Sequence, residues 1–369
     1  MFYYCIFFLS SFFISISSLF SKKNDKLLKI IFAILGILVL AIVSGARDYS
    51  IGTDTLNYNL AYNYAYTSAN LIQYCNNLKA MNGIEYGFSV FSYLIARSGM
   101  SPHGFYFICQ LLIALNIYLA LNKLSPELNV TLGWMTYCFM FYTSSFNILR
   151  QTIALSFILL GIAFLYENEV IKSIIMIIIA CFFHTSAIIG VFILVTGYSV
   201  IKIKNKKTST VVILLIMVSI LMLPREIDFL NFVGAFSDKY SGYLVENAKV
   251  SILITMFSRL PMIFCMFWSL VKNRGKNSRR DVYVYLLILF ELMMLPLQSV
   301  SPAVARLLLY FGISKVVGYP IIINNVKTNY LFVNVIVKLM FIIYLGLIFY
   351  LQVVLNNNGM VYPYLVANY

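Results

Sequence analysis

The chain has 369 residues, of which 61% are hydrophobic and only 11% are charged, and its formal net charge is +14. Soluble domains carry about 25% charged residues, so this composition excludes an ordinary soluble fold. The apolar runs are continuous, as in 174–183 and 211–223, whereas the strands of a membrane barrel alternate apolar and polar residues. The sequence therefore predicts an all-α polytopic membrane protein, because backbone groups in lipid must be paired within each span.

The predicted spans follow from the lengths of the apolar runs, since about 20 residues cross the hydrocarbon core of a bilayer. We predict about twelve transmembrane helices within a single integral membrane domain, residues 1–369. They lie near residues 2–20, 28–45, 104–121, 130–146, 149–166, 171–184, 186–202, 209–223, 251–271, 281–297, 304–323 and 331–351. The first run has no basic start and no small-residue cleavage site, so we interpret it as a retained span.

One apolar segment, 86–100, does not fit this count. Ser101-Pro102-His103-Gly104 separates it from the next span, and a full crossing here would put Lys123 on the wrong side of the membrane. We therefore predict a re-entrant or interfacial helix. Two long connections, 46–85 and 224–250, are predicted to face outward, and their content of Tyr, Phe and Asn argues against disorder.

The positive charge is concentrated between the apolar runs, in 22–29, 202–207 and 272–280, with single Lys residues in three further connections. This distribution follows the positive-inside rule. It fits twelve crossings with both termini outside, and it accounts for the net charge without a nucleic acid partner.

Arginine is distributed differently from lysine. The predicted cytoplasmic connections carry thirteen Lys and three Arg, whereas six of the other eleven basic residues are Arg. A planar guanidinium can bind two oxygens of a phosphate at once, which topology alone does not require. Arg47, Arg150, Arg259 and Arg306 fall at or near outer ends of spans, and we hypothesise that they converge on an anion site. The alternative is pairing with structural carboxylates or with lipid headgroups.

His184 ends a short apolar run that starts near Lys172. Twelve helical residues rise about 18 Å, less than the core thickness of about 30 Å. We therefore expect His184 to lie below the outer surface, in a cavity lined by protein. Glu291 lies within a predicted span, where an ionisable group is either functional or a helix-packing hydrogen bond.

Several motifs resemble those of one known family. Arg47-Asp48-Tyr49-Ser50-Ile51-Gly52-Thr53-Asp54-Thr55-Leu56-Asn57-Tyr58 resembles the Arg…Gly-Thr-Asp-Thr…Tyr loop of the EpsG-type family of Wzy polysaccharide polymerases. The further matches, in the family's order, are Glu85-Tyr86-Gly87, Arg150-Gln151-Thr152-Ile153-Ala154, Phe183-His184-Thr185-Ser186-Ala187, Arg306 with Tyr310, and Pro363-Tyr364. The second outer connection has no motif that matches, so acceptor recognition stays open.

The resemblance implies a glycosyltransferase with a GT-C-like fold that uses lipid-linked sugars. Such an enzyme would polymerise oligosaccharide repeat units carried on undecaprenyl pyrophosphate into O-antigen or exopolysaccharide, on the outer face of the cytoplasmic (inner) membrane. Its implied partners are the undecaprenyl-pyrophosphate-linked oligosaccharide and membrane lipid, with a chain-length regulator protein as a further candidate and no nucleic acid.

This activity needs a general base for the acceptor hydroxyl and cations for the pyrophosphate that leaves. We predict Asp54, Glu85 and His184 as catalytic candidates, and the sequence does not rank them as the base. The residues predicted to bind the pyrophosphate or its sugars are Arg47, Arg150, Gln151, Arg259, Arg306, Tyr58 and Tyr310. We predict no cofactor and no metal, since the six Cys show no CxxC or Cys/His ligand spacing.

Three alternative functions fit a polytopic membrane protein of this kind. A flippase or other transporter of the same lipid-linked oligosaccharide would be expected to show internal repeats and charged residues at the midplane. No repeat is visible, and the polar groups collect at the outer ends of spans. An O-antigen ligase is chemically close and stays open. A non-catalytic scaffold would not need buried Arg and His.

Overall fold

The computed structural model describes residues 1–23, 25–125, 127–203, 248–273, 278–296 and 302–367. Every regular element in these ranges is helical, and the sheet-like contact among them is an isolated antiparallel bridge between Arg47 and Val366. The predicted all-α architecture is confirmed for this part of the chain. The span predicted at 209–223 and nearly all of the connection predicted at 224–250 lie outside the described residues.

Ten α-helices lie in the described residues before 204. They are α1 (Phe2–Lys22), α2 (Lys26–Ala46), α3 (Thr55–Thr67), α4 (Leu71–Asn82), α5 (Tyr86–Arg97), α6 (Pro102–Lys123), α7 (Val130–Met140), α8 (Leu149–Tyr166), α9 (Val170–Phe183) and α10 (Gly190–Ile201). Several of them begin at a side chain that accepts a backbone N–H of the first turn, as Ser101 does for α6 and Asn129 for α7. Such caps satisfy N–H groups that have no partner within the helix.

Five further α-helices lie in the ranges described after residue 247. They are α11 (Ala248–Lys272), α12 (Arg279–Met294), α13 (Pro302–Gly312), α14 (Lys315–Asn325) and α15 (Leu331–Phe349). A π-helical turn, Tyr350–Leu355, continues α15, and 3-10 turns follow α7 at Tyr142–Phe146 and α9 at Thr185–Ile189.

Five helical segments of the described chain are long and apolar enough to cross a membrane: 2–21, 26–46, 102–123, 149–166 and 331–355. A sixth results if α13 and α14 count as one span. The α15 side chains of Leu339, Met340 and Ile343 are exposed, as expected where a helix contacts lipid. These apolar helices identify the chain as a membrane protein.

Cationic connections meet at one end of the bundle, which we call the basic end. Lys123 at the end of α6 pairs with Glu169 before α9, and Arg280 Nη1 lies 3.2 Å from Glu167 Oε1. Lys272 Nζ donates to the carbonyl of Val326 between α14 and α15, at 3.1 Å. The helices α6, α8, α9, α11, α12 and α14 therefore each have one terminus at the basic end.

The opposite end is closed by the C-terminal tail. The Ala367 amide donates to the Ala46 carbonyl at 3.0 Å, and the Tyr3 hydroxyl donates to the Val361 carbonyl at 2.8 Å. These bonds hold the tail against the start of α1 and the end of α2. His103 Nδ1, at the start of α6, lies 2.8 Å from the Gly45 carbonyl oxygen and adds α6 to the same end.

The helix α5 begins and finishes at this opposite end. Its start, Glu85, forms an ion pair with Arg150 of α8. At its other end the Met100 carbonyl accepts a hydrogen bond from the Tyr62 hydroxyl of α3, at 2.9 Å, just before α6 starts. This course agrees with the predicted segment that does not cross. The predicted connection 46–85 is largely helical, since α3 and α4 lie within it.

The predicted span 304–323 is broken rather than continuous. A bend of 44° separates α13 from α14. At the break the Ser314 hydroxyl donates to the Phe311 carbonyl at 2.6 Å, a backbone contact that often bends helices. Lys315, a charged residue within the apolar run, follows the break and donates a hydrogen bond to Glu291 of α12. The hydropathy of the sequence does not reveal the bend.

Cysteine labelling tests the course of α5. In a background without the native cysteines, we expect an impermeant thiol reagent to modify Thr53→Cys and Ser98→Cys in intact cells. Lys172→Cys should react only after permeabilisation, because it lies at the basic end and all three positions are exposed. Reaction of Ser98→Cys from the same side as Lys172→Cys would show that α5 crosses the membrane.

Candidate active site

The start of α5 packs against the end of α9, and this contact brings two predicted catalytic residues together. Glu85 precedes α5 in extended backbone geometry, and His184 follows α9 in the same geometry. A Cβ atom on Gly87 would overlap the Phe182 carbonyl, so the two helix ends can approach only because Gly87 has no side chain.

His184 and Glu85 are joined by a hydrogen bond. His184 Nδ1 lies 2.7 Å from Glu85 Oε1. The backbone N–H of Thr185 donates to the same oxygen at 3.1 Å. Among the described residues, His184 Nε2 makes no hydrogen bond, and the side chain is 15% exposed. The carboxylate therefore orients the imidazole and leaves its second nitrogen accessible.

Arg150 completes this group from the first turn of α8. Its Nη1 pairs with Glu85 Oε2, so the two carboxylate oxygens bind different partners. Tyr58 of α3 lies beside the same guanidinium. Arg150 Nε is buried and has no partner in the described part of the chain. We call Glu85, Arg150, His184 and Tyr58 the Glu85 cluster.

The electrostatics of the cluster keep Glu85 ionised. Burial raises the pKa of this carboxyl, but the hydrogen bond from His184 and the charge of Arg150 lower it more, to about 2 from the usual 4.5. The free energy that these pairs contribute is complete above about pH 4.5 and is lost only as the pH falls towards 2. A carboxylate with so low a pKa is a weak proton acceptor at neutral pH.

Three more predicted residues surround the cluster. Tyr310 of α13 shares a hydrogen bond of 3.0 Å with Ser186, two residues after His184. Gln151 Nε2 donates to the backbone carbonyl of Arg306 at 2.6 Å. Arg306 is half-buried. These bonds tie the start of α13 to the start of α8, so Arg306 and Arg150 occupy neighbouring helix ends.

Asp54 lies at the start of α3, one helical turn before Tyr58. The preceding Gly52 has φ +94°, a left-handed geometry that suits glycine. Thr53 donates to Asn147 Oδ1 through both its backbone N–H, at 2.6 Å, and its hydroxyl, at 3.0 Å. The Asp54 carboxylate does not cap α3. The simplest structural role for this side chain, a helix cap, is therefore not used.

Arg47 lies apart from the Glu85 cluster. It is 1% exposed, and its guanidinium carbon lies 4.1 Å from the centre of the Tyr106 ring and 4.4 Å from that of Phe146. Nη1 donates to the carbonyl oxygen and the hydroxyl of Ser44, at 2.6 and 2.8 Å. These contacts place Arg47 between aromatic rings, where it ties α2 to α6 and to the turn after α7.

Arg259 also lies outside the Glu85 cluster. Its Nη2 donates to Glu291 Oε1 at 3.0 Å, and Lys315 Nζ donates to the same oxygen at 2.6 Å. The three side chains line a cavity of about 320 Å³, which we call the Lys315 cavity. Residues 139–148, the helix α13 and the segment 352–359 form its other walls. The four arginines of the sequence hypothesis are thus distributed over three places.

Lys315, Asn147 and Thr185 were not among the predicted site residues. Lys315 carried a usable signal, because an ionisable residue inside a predicted span is a candidate for function. Thr185 lies within the Phe-His-x-Ser-Ala motif, yet its contribution is a backbone N–H that no side-chain pattern reports. Asn147 gave no signal.

The sequence model of the EpsG family matches residues 29–366. The chain belongs to the EpsG family. The resemblance seen in the motifs is thereby confirmed, and EpsG membership indicates a polymerase of the Wzy type that acts in polysaccharide biosynthesis. Comparison with curated proteins and with solved structures gave no match.

The close contact at Gly87 gives a testable prediction for this EpsG family protein. Gly87→Ala should lower the stability by about 1–3 kcal/mol, because the added methyl group must push α5 from α9. Polymer formation should fall with it, since Glu85 and His184 lie on the two displaced ends. Gly104→Ala is the matched control, as its Cβ would meet Met100 at an ordinary 3.4 Å. Thermal unfolding of the purified variants measures the effect, and equal unfolding temperatures would contradict it.

Proposed function

We propose that this protein is a membrane glycosyltransferase of the GT-C type that polymerises undecaprenyl-pyrophosphate-linked oligosaccharide repeat units into O-antigen or exopolysaccharide. The observation that carries the proposal is the contact of one carboxylate, Glu85, with both His184 and Arg150. It joins a proton acceptor to an anion-binding group at one end of an apolar bundle. Family membership supplies the reaction class.

His184 is the proposed general base. With Nδ1 donating to Glu85, the neutral ring presents Nε2 as an acceptor. Nε2 takes the proton of the acceptor hydroxyl. The oxygen of that hydroxyl forms a bond to the anomeric carbon of the growing chain. The bond from that carbon to the pyrophosphate oxygen breaks, and the lipid pyrophosphate leaves. Glu85 is a positioning residue, because its low pKa makes it a poor base.

Arg150 and Arg306 are the proposed partners of the leaving pyrophosphate. Negative charge grows on this group as the glycosidic bond breaks, and fixed donors in a site with little water stabilise it well. Arg150 Nε is buried and has no partner in the described part of the chain, so a turn of the guanidinium towards the ligand would break no hydrogen bond at this atom. Tyr58, Gln151 and Tyr310 hold these groups in position, and Asp54 is proposed to bind hydroxyls of the acceptor sugar.

The proposed topology has twelve crossings with the site on the outer side of the cytoplasmic membrane. Five or six of these crossings correspond to apolar helices of the described chain, and the others rest on the apolar runs of the sequence. The concentration of Lys and Arg at the basic end supports its cytoplasmic location. Membrane lipid and a chain-length regulator protein are the further proposed partners.

Deletion of the gene tests the function directly. Loss of a polymerase should leave single repeat units on the cell surface and no long chains. Loss of a flippase would leave neither, and loss of a ligase would leave polymer that stays on its lipid carrier. Gel analysis of surface and carrier-linked saccharide separates the three results.

Arg150→Lys and Arg306→Lys should each lower the polymerisation rate about 100-fold, the scale seen when one fixed donor to developing charge is removed. Lysine keeps the charge but loses the two-pronged geometry. Arg97→Lys is the control, since Arg97 donates to the Ser68 carbonyl at the far end of α5 and should keep a rate close to wild type. Full activity of either variant would show that its arginine does not bind the leaving pyrophosphate.

Asp54→Asn should leave only single-repeat product at normal protein levels. A carboxylate accepts hydrogen bonds from sugar hydroxyls with both oxygens, whereas Asn replaces one acceptor by a donor. Since Asp54 does not cap α3, the loss cannot be ascribed to the helix start. Long polymer at a wild-type level from Asp54→Asn would exclude this role for the carboxylate.

A further inference from the structure

The Lys315 cavity contains more positive than negative charge. Arg259, Glu291 and Lys315 are 8%, 4% and 2% exposed, so all three are largely desolvated. Two cations share one oxygen of one carboxylate. Glu291 is the sole acid among the cavity walls in the described part of the chain. A group of this kind leaves one buried charge uncompensated, which is costly unless an anion joins it.

The donors of the cluster are not exhausted by these contacts. A lysine ammonium has three N–H donors, and Lys315 Nζ makes one hydrogen bond among the described residues. Arg259 Nη1 is occupied by the Thr255 carbonyl and the Ser258 hydroxyl, at 3.0 and 3.1 Å. Among the described residues Lys315 therefore has two donors left for a ligand and Arg259 one, on Nη2, and Arg259 adds a second positive charge.

The rest of the wall suits the polar head of a ligand. Thr143, Ser144 and Asn147 line one side, and Gln352 and Asn358 line another. A volume of about 320 Å³ is at the lower end of the range for small-molecule sites, roughly 300–1,000 Å³. It is large enough for a pyrophosphate and part of an attached sugar, and too small for a whole oligosaccharide.

Two chain segments lead from the cavity wall to the Glu85 cluster and to Arg306, which lies beside that cluster. Ile148 lines the cavity, and Arg150 begins the cluster two residues later. Ala305 also lines the cavity, and the next residue is Arg306. The two charged groups are therefore separate but adjacent.

We propose that the Lys315 cavity binds the pyrophosphate of a second lipid-linked saccharide, that of the incoming repeat unit, while the Glu85 cluster holds the one that leaves. This inference rests on the proposed function, since a polymerase of this kind must hold two carrier-linked substrates at once. The acceptor pyrophosphate does not change its charge during transfer, so the cavity contributes to substrate binding and not to the chemical step.

Native mass spectrometry of the purified full-length protein tests the proposal with undecaprenyl pyrophosphate as the probe. Wild type should bind two molecules and Lys315→Met one, with affinity at the lost site falling about tenfold or more. Lys338→Met, a lysine of α15 outside the cavity wall, should still bind two. Retention of both molecules by Lys315→Met would overturn the proposal.

A second variant, together with the unfolding temperatures, shows whether the loss of binding results from misfolding. Both Lys315→Met and Arg259→Gln leave a neutral pair with Glu291, so both should unfold without ligand near the wild-type temperature and lose the same molecule. If Lys315→Met loses bound phosphatidylglycerol but no undecaprenyl pyrophosphate, the cavity holds an ordinary lipid headgroup and the proposal is wrong. The proposal is also wrong if inorganic pyrophosphate, added to the wild type, does not displace undecaprenyl pyrophosphate from the site that Lys315→Met lacks.

Kinetics separate this inference from the proposed function. Lys315→Met should raise the KM for the repeat unit about tenfold at nearly unchanged kcat, whereas Arg150→Lys should lower kcat. If the wild type binds one molecule and Lys315→Met binds none, pyrophosphate binding in the Lys315 cavity is supported and pyrophosphate binding at Arg150 is contradicted. If the wild type binds one molecule and Lys315→Met still binds it, pyrophosphate binding in the Lys315 cavity is contradicted.

Discussion

The geometry of the candidate site depends on the carboxylate of Glu85. Its two oxygens contact groups from the start of α8 and the end of α9, while its backbone begins α5. Removing one partner of a largely buried ion pair costs about 3–5 kcal/mol, because the other charge is left without compensation. Three helix ends are therefore held in one arrangement by a single side chain, and Gly87 allows the approach that the carboxylate requires.

Arg47 shows how a buried charge can be accommodated without an acid. Its guanidinium is desolvated, and two aromatic faces and the oxygens of Ser44 surround it. Cation–π contacts gain strength when water is excluded. The same residue forms the backbone bridge to Val366, so α2 and the C-terminal tail are joined where the first motif of the family begins. An arginine at the end of a span opposite the basic end can thus serve packing, and the residue type alone does not distinguish this from anion binding.

Local patterns predicted the helices well, because hydropathy and charge depend on neighbouring residues. Helices α1, α2, α6, α8 and α9 agree with the predicted spans to within a few residues. The ends of the predicted spans and the connection 46–85 also placed Glu85, Arg150 and His184 at one end of the bundle. The pairing of Arg259 and Lys315 with Glu291 was not predictable, since it depends on how α11, α12 and the bend after α13 are rotated about each other. The segment 46–85 was interpreted as a connection, with a short helix after Asp54 only as an alternative, because Tyr and Asn are poor indicators of helix.

The two charged groups differ in a way that fits two kinds of pyrophosphate. In the Glu85 cluster, a guanidinium and a carboxylate balance, and the imidazole can carry a proton for part of the reaction. In the Lys315 cavity, one positive charge remains in the resting protein. A substrate whose charge is constant needs only an opposite charge at a fixed place, which the compact ammonium of Lys315 beside Arg259 supplies. A leaving group whose charge grows is best met by planar donors fixed in advance. The placement of Arg150 beside His184 and of Lys315 away from it follows this division.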